Sequence, residues 1–125
     1  MISAREGNIV FLKLSKNENF NDLQNLIETY EIKSGFLEGF GKLKYIETEE
    51  EVIDVEDAIL FGIISELKDS PYMEVYCYSD KKTGKIKNFV ADNLIIIIRR
   101  FDEIKVYSRL NEKGKLELSI GEEKT

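Results

Sequence analysis

The sequence predicts an α+β domain, with one main helix packed on a largely antiparallel, strongly bent β-sheet. Three observations carry this. Apolar residues recur at helical spacing in one segment, from Phe20 to Tyr30. Most of the rest falls into short runs of strand formers separated by turn residues, so the order is strand, helix, then many strands. One of those runs is interrupted by Gly35, Gly39 and Gly41, and glycine inside a strand marks a bulge, a bend or a close approach by another backbone.

Gly7 to Ser15 is a first strand, followed by a polar turn. Asn19 is placed to cap the helix, with Asp22 in the first turn favoured by the helix dipole. Phe20, Leu23, Leu26, Ile27 and Tyr30 form the face that packs on the sheet, in a helix of about 12 residues. The glycine-marked strand covers Lys33 to Tyr45. From Glu47 to Asp57, seven of eleven positions are carboxylates, a pattern that predicts a solvated edge or loop.

Ala58 to Leu67 is the next strand and carries Gly62; Lys68 to Pro71 turns the chain. Pro71 to Ser79 alternates, with Met73, Val75 and Cys77 on one face and Tyr72, Glu74, Tyr76 and Tyr78 on the other. A turn over Asp80 to Gly84 makes this the first arm of a hairpin that returns from Lys85 to Phe89. Leu94 to Ile98 reads as a strand buried on both faces. Glu103 to Ser108 and Lys115 to Ile120 are two further strands. Gly121 to Thr125 is expected to fray.

The whole chain, 1–125, fits one domain. A chain of this size buries roughly 65% of its unfolded surface, enough for a core of its own. Eighteen basic against twenty-four acidic residues give a net charge of −6, which disfavours generic binding to nucleic acid. The single cysteine rules out an internal disulfide and a cysteine-based zinc site, and a cytoplasmic location is the simplest expectation. The longest apolar run, Leu94 to Ile98, is too short to span a bilayer, so no membrane partner is expected. The chain has no histidine, and so lacks the commonest acid–base group and metal ligand.

Three segments together carry a family resemblance. They are Gly35-Phe-Leu-Glu-Gly-Phe-Gly-Lys-Leu43, then Phe61-Gly-Ile-Ile-Ser-Glu-Leu-Lys-Asp-Ser-Pro71, then Gly84-Lys-Ile-Lys87. In order and spacing they resemble the PPC domain, the module conserved between plants and prokaryotes. That module follows the AT-hook in plant AT-hook proteins and stands alone in bacteria and archaea. The similarity covers about Ile9 to Tyr107. It implies a small α+β fold that assembles as a homotrimer, in a family whose standalone members have often been labelled DNA-binding. The chain departs from the family where an H-x-H pair aligns with Glu74 and Tyr76, and a later histidine with about Val90.

Each candidate site has a structural alternative. Tyr72, Glu74, Tyr76 and Tyr78 either line a small-ligand or metal pocket or form a subunit contact, and tyrosine is favoured at interfaces. Lys81, Lys82, Lys85 and Lys87 either touch nucleic-acid phosphates or keep an exposed hairpin solvated. Gly39-Phe-Gly41-Lys42 fits neither a phosphate loop nor a dinucleotide fingerprint, so Gly35, Gly39, Gly41 and Gly62 are structural. Cys77 is an inert core thiol. No catalytic residue, metal site or cofactor is expected. The leading expectation is a non-catalytic homotrimeric binding or assembly module. The alternatives are a DNA-associated regulator using the lysine hairpin, and a small-ligand or metal-binding protein or enzyme using the Glu74/Tyr76 face.

Overall fold

A computed structural model describes residues 1–122 of the chain. Its elements run β1 (Ile2–Glu6), β2 (Ile9–Leu14), α1 (Phe20–Thr29), β3 (Gly35–Glu47), β4 (Val52–Asp54), β5 (Asp57–Leu67), β6 (Ser70–Ser79), β7 (Thr83–Ile86), β8 (Asn88–Arg100), β9 (Ile104–Leu110) and β10 (Leu116–Glu122). The sheet is ordered β1-β2-β8-β3-β5-β6-β7, with β4 alongside the end of β3 and the β9–β10 hairpin joined to β5. Among the described residues the ladders between these strands are antiparallel, except for one parallel bridge, Glu66 to Tyr107, between β5 and β9. One helix on a largely antiparallel sheet is the expected fold class.

The helix starts where its cap dictates. The Asn19 side-chain oxygen accepts from the Asn21 and Asp22 backbone N–H groups at 3.0 and 3.2 Å, and the Asp22 carboxylate accepts from the Asn19 N–H at 2.8 Å. This reciprocal box satisfies donors that the first helical turn cannot pair internally. Leu23 and Ile27 are buried, and Phe20, Leu26 and Tyr30 flank them. Since β2 and β3 both pair antiparallel with β8, the β2–α1–β3 connection is a crossover that lays α1 against the sheet over β8. Phe20 meets Phe89 of β8 edge-on, with centroids 6.0 Å apart.

Cross-strand register sorts the sheet into two faces. The inner rows are Val10·Ile98·Leu37·Gly62·Val75·Ile86 and Leu12·Ile96·Gly39·Leu60·Cys77·Gly84. Apart from the glycines, these side chains belong to the buried core. β3 and β8 shift register between Lys42 and Tyr45, as at a β-bulge. Gly41, just before the shift, has φ +142°, and a Cβ there would collide with the Asn93 carbonyl oxygen. At Gly35 the constraint is space alone, because a Cβ would collide with the Arg99 carbonyl oxygen.

Several local expectations are corrected. The expected first strand is β2, and a strand not expected, β1, precedes it and pairs with it as a hairpin around Gly7. The helix has 10 residues, ending where Glu31 adopts a left-handed φ of +54°. The acidic stretch contains the short β4, and Val55 within it is buried. The return arm after the lysine turn is β7, and β8 is a 13-residue strand whose Leu94–Ile98 portion is buried on one side only: Ile95 is 40% exposed. Alternation with the buried Leu94, Ile96 and Ile98 is the reason. Gly121 and Glu122 close β10; the other three positions expected to fray lie outside the described residues, as does the end of the expected 1–125 domain.

Candidate functional site: the outer face of the sheet

The face opposite the helix is built from three rows that cross five strands. The rows are Ile9·Arg99·Phe36·Ile63·Glu74, Phe11·Ile97·Glu38·Phe61·Tyr76 and Lys13·Ile95·Phe40·Ile59·Tyr78. Most of these positions are apolar, and many are open. Phe40 and Phe61 are each 54% exposed and Tyr78 is 61% exposed. The β3 sequence explains part of this, because glycines at 35, 39 and 41 point inward while Phe36 and Phe40 alternate outward. Exposed apolar side chains gathered in one patch are the kind of surface proteins commonly use to bind partners.

The four β6 candidates take their places here. Glu74, Tyr76 and Tyr78 stand opposite Ile63, Phe61 and Ile59. Tyr72 lies further along the strand, opposite the buried Ser65. The Tyr76 hydroxyl donates to the Glu74 carboxylate at 3.5 Å, the outer limit of a hydrogen bond. A shallow apolar hollow of about 290 Å³ runs between Phe36, Phe61, Ile63 and Tyr76. Few polar groups converge on it, as a specific small-molecule pocket would need. Among the described residues no three histidine, cysteine, aspartate or glutamate side chains gather to hold a metal.

A wider groove of about 600 Å³ continues the face, between Phe36 and Ile63 on one side and Ile104, Leu118 and Ile120 of the β9–β10 hairpin on the other. Ile120 is 75% exposed. Sequence reasoning found the β9 and β10 strands but not this wall, because the hairpin's placement depends on contacts distant in sequence. The Ser65 and Ser108 hydroxyls bond at 2.5 Å, and the Val106 N–H donates to Ser34 at 2.9 Å. The outward Phe36, Phe40, Ile59, Phe61 and Ile95 were also missed as a set. Their alternation with inward residues is the signal that could have found them.

The lysine hairpin lies at the β7 edge. Lys82 pairs with Glu51 and Lys87 with Glu47, both at 3.5 Å. Lys81 and Lys85 are exposed. The acidic β3–β4 loop therefore shields part of the positive charge that a phosphate would use. Cys77 sits on the inner face, buried, and burial pushes its thiol up in pKa against the smaller lowering effect of a Ser79 hydrogen bond.

No protein-family model matches the chain, and no curated protein matches it by sequence. Solved structures do match it by shape. A crystal structure from Bacteroides thetaiotaomicron, provisionally described as a DNA-binding protein, superposes with a TM-score of 0.79 at 13% identity, covering 94% of this chain and 96% of that one. A plant- and prokaryote-conserved (PPC) protein from Pyrococcus horikoshii superposes at 0.65 with 17% identity, covering 95% and 94%. The fold is PPC-like. A metal-containing protein from Archaeoglobus fulgidus also shares the shape, at 0.69 and 13% identity over 93% and 96% of the two chains. At these identities the shared property is the PPC-like fold alone. Among the described residues no helix is long and apolar enough to cross a membrane.

Proposed function

We propose that the chain is a non-catalytic binding and assembly module, three copies of which associate through the outer face of the sheet. The observation that supports this is the set of three apolar rows, together with the adjoining hairpin groove. Leaving such surface in water costs roughly 25 cal/mol for each Å² that a partner would otherwise cover. The number three comes from the resemblance to the PPC domain, and a closed ring is the usual way identical chains satisfy one another's surfaces. In this reading Tyr72, Glu74, Tyr76 and Tyr78 are contact residues, and Glu38, Glu74 and Arg99 set the register between copies. The lone, buried Cys77 suits a reducing compartment, which supports a cytoplasmic location in this reading.

Light scattering under native conditions tests the assembly. The expected mass is three times the 14.5 kDa chain, and a monomer at micromolar concentration overturns the reading. Phe61→Glu, at the centre of the face, is expected to yield a folded monomer.

A DNA-associated role is the second reading. It is favoured by the provisional description of the Bacteroides thetaiotaomicron neighbour and by the exposed Lys81 and Lys85. The net charge of −6 and the ion pairs of Lys82 and Lys87 weigh against it. It predicts a mobility shift of duplex DNA that fades steeply with salt and is lost in the Lys81→Glu/Lys85→Glu double variant. Absence of any shift at low salt removes it.

A further inference from the structure

We propose that the chain carries a separate small-oxyanion site, for a carboxylate or phosphate group, between the α1–β3 connection and the β8–β9 turn. The cavity there measures about 160 Å³ and is lined by Glu31, Lys33 and Ser34 on one side and Arg100, Asp102 and Lys105 on the other. That volume is many times the roughly 10–15 Å³ needed to admit one water.

Two deep donors define the site. Ser34 is 2% exposed, and its hydroxyl oxygen accepts from the Val106 N–H at 2.9 Å. A hydroxyl that accepts in this way still has its own proton to donate. The Arg100 side chain is 19% exposed, deeper than its partner Asp102 at 48%. Asp102 takes only Nε, at 3.0 Å, which leaves the two terminal nitrogens of the guanidinium fork for a second acceptor. A planar fork beside a hydroxyl donor is suited to two oxygens of one oxyanion.

The charges around the cavity are mixed. Glu66, which two of the lining lysines approach, is 7% exposed, and its Oε2 lacks a hydrogen bond. Lys33 and Lys105 approach its two oxygens at 4.0 and 3.9 Å, beyond hydrogen-bond length. Counted together, Lys33, Arg100 and Lys105 are matched by Glu31, Asp102 and Glu66, so the surroundings of the cavity are electrically balanced. Lys33, Glu31 and Asp102 stand at the rim, where water screens them more strongly. What suits the cavity to an oxyanion is therefore the convergence of the Arg100 fork and the Ser34 hydroxyl, not an excess of charge.

Isothermal titration of inorganic phosphate and of acetate, at ionic strength held constant with chloride, tests the site. The expected result is saturable binding of at least one of them, weakened tenfold or more by Arg100→Met and partly restored by Arg100→Lys. Ser34→Ala is expected to weaken binding about tenfold, the scale of a hydrogen bond to a charged group. If that variant fails to fold, the two Arg100 variants decide alone. No saturable heat up to tens of millimolar anion, or equal affinity in Arg100→Met, overturns the proposal. The titration is repeated on Phe61→Glu, so that this site and the assembly reading fail separately. Equal affinity there supports a free ligand. Binding confined to one association state overturns it in favour of a carboxylate presented by a neighbouring copy.

Discussion

At Asn19 one side chain decides where the helix begins. Its oxygen satisfies two orphan N–H groups, and Asp22 returns the favour to its backbone. Asn19→Ala is expected to destabilise the protein by about 1 kcal/mol in chemical denaturation, with unchanged secondary structure. This cap was legible beforehand, because capping is a short-range interaction between neighbouring residue types. Cys77 was legible as a core thiol for a similar reason, through its alternation with Met73 and Val75. Its burial favours the neutral thiol in the folded state. The stabilisation from this group is therefore complete below the pKa of a free thiol and declines as pH rises through the higher folded value. A thiol reagent at pH 8 is expected to label Cys77 at the rate of unfolding, whereas fast labelling would show that the strand opens locally.

The turn expected over Lys68 to Pro71 is present, but its geometry was not legible in the sequence. Lys68 and Asp69 link β5 to β6 in a two-residue turn with both φ values positive, 51° and 67°. Such turns favour Asn-Gly, and nothing in Lys-Asp advertises the geometry. Asp69→Gly is expected to raise stability by about 0.5–1 kcal/mol in urea denaturation, by relieving the left-handed strain. Pro71 comes after Ser70, opposite Glu66, and is tolerated because β7 covers β6 only from Val75 onward. The β9–β10 hairpin was expected as two strands, yet its docking depends on Ser65 and Ser108, 43 residues apart. Removing either hydroxyl strands the other in a buried site. Ser65→Ala and Ser108→Ala should each cost about 1–3 kcal/mol, and the double variant less than their sum.

For the whole molecule, the unresolved balance lies between an inner face closed by α1 and an outer face left open. If copies cover one another there, folding is linked to association. The melting temperature should then rise with protein concentration in the natural chain and be independent of it in Phe61→Glu. A melting temperature that ignores concentration in both would remove the assembly reading. The oxyanion site lies at the far end of the β3–β8 pair, near Gly35 and Arg100. It is expected to respond to Arg100 substitutions without altering the association state.

What the sequence by itself determined is local. Helical spacing at Phe20 to Tyr30, the Asn19 cap, two-residue alternation in β6 and the punctuating glycines all report interactions within a few residues, and they sufficed for the fold class. What only the tertiary structure decided is which distant residues share a surface. Register between strands far apart in sequence placed Phe11, Phe61 and Tyr76 in one row, moved Ile95 from an expected core to the outside, and brought Ser34 beside Arg100. Such pairings depend on hydrogen-bond ladders closed across long loops, and composition and spacing carry no trace of them.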